Sequence, residues 1–310
     1  MIFGTPISWF INEIIGSILL FFCIAHAIKQ EKPMNRILEL SCYMLTAGIF
    51  ENIGVFAGTY YYSLDRVMMF GKVPLSILFI EGAIFYVSMI LVEHLKLPKW
   101  AIPLGVGVLA SIQDLTLDPT SVFDLHIING VSEGQWNWTK YYEGGYVNIP
   151  FSNFSGWLTM MVFFAAAVAI GRNWYNRSHK NWVAVAYPLI SIVVTVLLLI
   201  TPINQFLLFG VPFASMNSKI AELVMLCFNY SISLFILIRF AKHNKAIERK
   251  DALMITIPVF LDLYALVNAI IMGITEAILP IVIVSIIHCT YLIWIYKKGQ
   301  NTLSKQVNPN

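Results

Sequence analysis

Asp114 and Asp118 stand four residues apart within and at the end of an apolar run. On a helix that spacing is about 40° around the axis and ~6 Å along it, so both carboxyl groups face the same way. Two close carboxyl groups in a poorly hydrated place cannot both ionise comfortably, and one keeps its proton at neutral pH. The pair therefore offers a general acid beside a general base. Gly107 and Ser111 continue the stripe and suit a face turned toward protein or a cavity. The plainer alternative is that Asp118, followed by Pro119, ends the helix while Asp114 bonds a neighbouring one.

Further carboxylates fall inside apolar runs at Glu13, Glu51, Glu81, Glu222 and Asp262, with Glu276 at a helix end. Charge within a bilayer is costly, so each is a candidate for function. Glu51 shares a helix face with Gly54 and Gly58, which equally suits close packing around a buried acid. Glu13 and Glu222 lie near helix N-termini, where the helix dipole alone accounts for a carboxylate. Aromatic residues crowd the same stretches of sequence: Tyr60, Tyr61, Tyr62, Trp136, Trp138, Tyr141, Tyr142, Tyr146 and Trp157. They fit an interfacial aromatic belt, or rings facing a developing carbocation.

The elements that must position these groups are membrane helices. The chain of 310 residues is 58% hydrophobic and 12% charged, about half the charge of a soluble globular protein. Apolar runs long enough to cross a bilayer fall at about 8–28, 37–58, 74–92, 101–117, 154–171, 182–201, 219–240, 252–272 and 277–296. The expected fold class is all-α: a polytopic integral membrane bundle of about nine transmembrane helices, or eight if the last two runs fuse around Gly273 and Pro280. It forms one domain over 1–310, with a long outer loop at 118–153 bordering the site. No cleavable leader is expected, because Met1–Ser8 has no basic segment and the run after it carries Asn12 and Glu13.

The positive-inside rule sets the orientation. With the N-terminus outside, only Arg66, Lys72, Lys140 and Lys219 of the twenty Lys and Arg fall on the outer side. That asymmetry favours nine helices, the C-terminus inside, and acids gathered at the outer level. Glu81 lies about a third of the way in and Asp262 near the middle.

Cys23, Cys42, Cys227 and Cys289 have no short spacing and read as small buried hydrophobes. His26, His94, His126, His179, His243 and His288 form no short-spaced pair, against a histidine-rich di-iron site. No metal and no cofactor is expected. The sequons at Asn137, Asn153, Asn176 and Asn229 read as chance. A prenyltransferase would need two aspartate-rich motifs for Mg²⁺ and several cations for the diphosphate, and only one Asp-x-x-x-Asp occurs. A lipid transporter or binding protein would spread its acids along a path and show repeats, and neither is seen.

The stretch DLTLDP (114–119), GQWNW (134–138) and GYVNIPFSNFSGW (145–157), with FENIGVFAGTYYY (50–62) and FIEGAIFY (79–86) upstream, resembles the carotenoid hydratase family of integral membrane carotenoid biosynthesis proteins. The resemblance covers roughly residues 45–160. It implies cofactor-free hydration of the terminal isopropylidene double bond of an acyclic carotenoid. The positions that match are Glu51, Glu81, Asp114, Asp118, Trp136, Tyr146, Pro150, Asn153 and Trp157. Asn148 stands where the family's glycine is expected, and the loop around 123–131 is longer than usual, which leaves the substrate open.

The expected catalytic groups are thus Asp114, Asp118, Glu51 and Glu81, the aspartates sharing acid and base roles while Glu51 and Asn153 position water. Tyr60, Tyr62, Trp136, Trp138, Tyr146, Asn153 and Trp157 are the expected substrate contacts. The partners are a hydrophobic isoprenoid drawn from the cell membrane and water, with no nucleic acid. A proton-initiated isoprenoid cyclase or isomerase needs the same acids and rings.

Overall fold

The computed structural model describes residues 1–139, 145–210, 218–241 and 249–307. Lys140, Tyr141, Tyr142, Lys242, His243 and Lys245 lie outside them. In chain order the helices are α1 (Ile7–Ile28), α2 (Pro33–Phe56), α3 (Leu75–Glu93), α4 (Ile102–Ser111), α5 (Asp114–Val122), α6 (Phe151–Ser178), α7 (Asn181–Leu199), α8 (Pro202–Phe209), α9 (Lys219–Phe240), α10 (Arg249–Ala252), α11 (Thr256–Ile271) and α12 (Thr275–Val307). Every apolar run becomes helix. Seven stretches, in α1, α3, α6, α7, α9, the α10–α11 segment and α12, are long and apolar enough to cross a membrane among the described residues. The other two runs form α2, whose polar residues include Glu39, Thr46, Glu51 and Asn52, and the pair α4–α5.

The surface shows which solvent the fold is made for. Phe21, Ile170, Phe235 and Ile271 face outward, while Glu51, Glu81, Asp114, Asp118 and Asp262 are buried. That inversion of the soluble pattern is what a lipid surround selects, since helices satisfy their own backbone and polar side chains turn inward. At the centre, Tyr43 of α2 stacks on Phe85 of α3 with ring centres 4.1 Å apart, and Phe164 of α6 meets both edge-on.

Several expectations are corrected. The run 101–117 is not one helix: it breaks at Ile112–Gln113, and Asp118 does not end a helix, because α5 continues through Pro119 to Val122. Proline has no N–H to give the Leu115 carbonyl, and the Tyr146 hydroxyl donates to that carbonyl instead at 3.0 Å. Gln113, at the break, donates through Nε2 to Asp262 Oδ1 at 2.7 Å, and Asp262 Oδ2 lies 3.0 Å from His288 Nδ1. Gly107 meets α6, where an added Cβ would fall 3.1 Å from the Leu158 carbonyl oxygen. Cys227 is exposed and Cys289 half-buried, so only Cys23 and Cys42 fit the buried reading.

The connections are also not purely irregular. They hold six short strands, β1 (Tyr60–Tyr62), β2 (Met69–Phe70), β3 (Val73–Pro74), β4 (His126–Ile128), β5 (Val131–Glu133) and β6 (Trp136–Trp138), paired antiparallel as β1–β6, β2–β3 and β4–β5. The β4–β5 turn is Asn129–Gly130 with both residues at positive φ, the conformation that a two-residue hairpin loop requires.

At the opposite end of the bundle from these ribbons, α2, α3 and α6 are clamped by charge. Arg36 donates to both Glu93 oxygens at 2.6 Å, and Arg172 reaches Glu93 at 2.6 Å and Glu39 as well. Nearby, Asp251 lies 2.8 Å from His26 Nε2 and 2.9 Å from His94 Nε2.

Candidate active site

Four of the carboxyl groups meet. Glu51 from the last turns of α2, Glu81 from α3, and Asp114 and Asp118 from α5 line one chamber, each no more than 6% exposed. The break before α5 supplies the geometry: it starts a new helix whose first turn carries Asp114, with Asp118 one turn on. No Lys, Arg or His is among the described residues lining the chamber. Four acids facing one another without a cation need protons as the compensating charge.

Each acid has a different set of partners. Glu51 Oε2 accepts from the Tyr60 hydroxyl at 2.7 Å and the Tyr62 hydroxyl at 2.5 Å. Burial, with Glu51 alongside, pushes both phenols well above the ordinary tyrosine value, so they remain donors. Asp118 Oδ2 accepts from Asn153 Nδ2 at 2.6 Å. By contrast, both Glu81 oxygens, Asp114 Oδ2 and the Trp138 indole nitrogen are buried without a partner. An orphaned buried polar atom costs about 1–3 kcal/mol. The chamber's volume of about 60 Å³ is enough for a few water molecules.

The aromatic lid is the β1–β6 ribbon. Tyr60 pairs with Trp138 and Tyr62 with Trp136, and alternation along each strand turns these four rings to one face while Tyr61 stays exposed. Their ring centres are 5.0–5.8 Å apart and steeply inclined. Trp157 of α6 closes one side. Tyr146 is not among the lining residues: it packs on Phe154 at 5.5 Å and holds the Leu115 carbonyl, and burial pushes its phenol up to about 12.

Glu222 and Glu13 lie outside the chamber lining, each with one oxygen that has no hydrogen-bond partner. Glu222 accepts the Ser152 backbone N–H at 3.1 Å, at the start of α6 where the helix dipole favours it. Glu13 lies 3.8 Å from Arg66. Arg66 stacks over Trp9 and donates to Gln135 Oε1 at 3.2 Å; burial lowers its pKa to about 10, so it is still charged at neutral pH.

The sequence reading missed Asn12 and Tyr264, which bring α1 and α11 to the chamber wall. The Tyr264 hydroxyl donates to Asn12 Oδ1, and Asn12 Nδ2 donates to Gln135 Oε1 at 2.7 Å, tying the lid loop to both helices. A polar Asn inside the first apolar run was the available signal. Among the described residues, no three His, Cys, Asp or Glu side chains are arranged to hold a metal ion.

No curated protein and no solved structure matches the chain. Residues 9–216, which hold all four chamber acids, the β1–β6 ribbon, Asn153 and Trp157, match the family described as carotenoid biosynthesis protein. A chain that carries this family's pattern over more than half its length, on a bundle of apolar helices, belongs to the carotenoid biosynthesis protein family.

Proposed function

We propose that this protein hydrates a terminal isopropylidene double bond of an acyclic carotenoid in the cell membrane, without a cofactor. The observation that carries the reading is the chamber itself, where unpartnered carboxyl oxygens and a tyrosine-held carboxylate surround room for water under a face of aromatic rings. A carboxylic acid O–H adds its proton to the terminal alkene carbon that bears hydrogen, and the double-bond electrons form that C–H bond. The positive charge appears on the tertiary carbon. Water attacks it, and the proton that the water loses passes to the second carboxylate. The acid pair then exchanges a proton to reset, so alkene and water become a tertiary alcohol with nothing left over.

The partners suggest who does what. Asp118, already accepting from Asn153, takes the base's part and orients water; Asp114, with one oxygen free, is the acid, and Glu81 holds the exchanging proton. Tyr60, Tyr62, Trp136 and Trp138 offer ring faces to the cation, each worth about 0.5–2 kcal/mol in such an interaction. The polar wall of Asn12, Ser121 and Asn153 favours capture by water over the ring closure of a cyclase.

Expression in a host that accumulates lycopene tests this. Pigment heavier by one or two waters is the expected outcome, and unchanged pigment or a cyclised isomer of the same mass refutes hydration. The reading includes a single domain with nine spans, the N-terminus and chamber outside, supported by the Lys and Arg asymmetry. A cysteine placed at Glu133 should then react with an impermeant thiol reagent added outside, and one at Lys96 should not; the reverse pattern overturns the orientation.

A further inference from the structure

The acid chamber is far too small for its proposed substrate. Its volume of about 60 Å³ takes the end of an isoprenoid chain at most, and the rest of a long polyene has to lie elsewhere. A second, larger cleft of about 350 Å³ adjoins it between α2, α6, α7 and α8. Glu51, Tyr60, Trp138, Asn153 and Trp157 belong to the walls of both, so one ligand can occupy the two spaces together. Beyond those shared residues the cleft is lined mainly by apolar side chains, among them Phe50, Ile53, Leu199, Ile200 and Leu208. Ile53 is 41% and Ile200 60% exposed, so the cleft opens on the side of the bundle, where the surround is lipid.

Two glycines shape it. An added Cβ at Gly54 would fall 2.6 Å from the Tyr60 hydroxyl, so α2 needs glycine there to let the lid tyrosine reach Glu51. Gly156 is different: a Cβ there would meet only Leu208 Cδ2, at 3.7 Å. Nothing in the packing of the protein demands glycine at 156. Its effect is to leave bare helix backbone along the floor of the cleft, the shape that accepts a thin, rigid rod lying against α6.

We propose that this cleft is the binding subsite for the polyene chain, entered sideways from the bilayer, with the terminal double bond passing between Tyr60, Trp138 and Trp157 into the acid chamber. The occupant is an extended conjugated isoprenoid, because the walls are apolar and the inner end is lined by indole and phenol rings that stack on a flat π-system. This rests on the hydration reading for what happens at the inner end, but not for the binding itself.

The test measures lycopene binding to the full-length protein in lipid nanodiscs, by quenching of tryptophan fluorescence. The wild type should bind, Asp118→Asn should bind with similar affinity while losing turnover, and Gly156→Phe, which fills the floor, should bind at least ~10-fold more weakly, a loss on the scale of one overpacked side chain. A wild type that does not bind lycopene, or a Gly156→Phe variant that binds it normally, overturns the subsite. Should Gly156→Phe lose its thermal transition, Ile200→Trp at the lipid-facing mouth decides instead: weakened binding supports the cleft, and unchanged binding overturns it. Wild type that binds lycopene at this cleft but leaves it unhydrated would end the hydration reading and leave the subsite standing.

Discussion

Helices α2 and α3 each carry two glutamates twelve positions apart, Glu39 and Glu51 on one, Glu81 and Glu93 on the other, a rise of roughly 18 Å. At one end Glu39 and Glu93 are gripped by Arg36 and Arg172, with Tyr187 donating to Glu39 at 2.6 Å. At the other, Glu51 has only phenols and Glu81 no partner at all. The same residue type, on the same helices, is neutralised by cations at one end and left to share protons at the other. An acid held by an arginine is a clamp; a buried acid in a chamber without a cation is held at a cost to stability that structure alone does not repay.

Four substitutions can break this contrast. The largest effect is expected at the chamber. Asp114→Asn and Asp118→Asn keep size and a hydrogen-bonding oxygen, and each should lower hydration of lycopene by ~10² to 10⁴ without lowering the thermal midpoint, as expected for a positioned acid or base. The double variant should be little slower than either single one, because groups that act as a unit are not additive. Full activity in either folded single variant removes that residue from the chemistry.

The converse substitution belongs to the clamp. Arg172→Met leaves Glu39 and Glu93 short of a cation and should destabilise the fold by about 3 kcal/mol, toward the lower end for a half-buried pair, while surviving folded protein keeps its turnover. A drop in turnover at unchanged stability would mean that the two ends are coupled. The smallest effect is expected from Tyr62→Phe, which removes one of two donors to Glu51: about 10-fold in rate, from the ~1.5 kcal/mol of a hydrogen bond to a charged group. Rate unchanged in that variant would make the tyrosine lid a packing feature only.

The chamber acids were legible in sequence because charge inside an apolar run is expensive enough to mark itself. Asp114 and Asp118 were legible as a pair because helical spacing brings them to one face of α5, just after the break. The break was not, since Gln113 holds it through Asp262 and Tyr146 satisfies the carbonyl that Pro119 frees, contacts 149 and 31 residues away in the chain. Three-residue strands carry too little pattern to read from sequence: WNW alternates, but YYY shows its alternation only in burial. Asn12 and Tyr264 come from opposite ends of the chain, and only packing brings them together.

The lid has a further consequence, for the order in which the molecule is made. Glu51 finds its two donors at Tyr60 and Tyr62, within a dozen residues of leaving the ribosome. The strand that completes the ribbon, Trp136–Trp138, emerges more than seventy residues later, roughly 4–15 s at ordinary rates of synthesis, and Asn153, the partner of Asp118, later still. During biogenesis Glu51 is therefore chaperoned by its own stretch of chain, while Asp118 waits for α6. Insertion of α6 gives Asp118 its amide partner, the chamber wall is complete only when α11 brings Leu261 and Tyr264 to it, and a nascent chain arrested before α6 holds Asp118 without that amide.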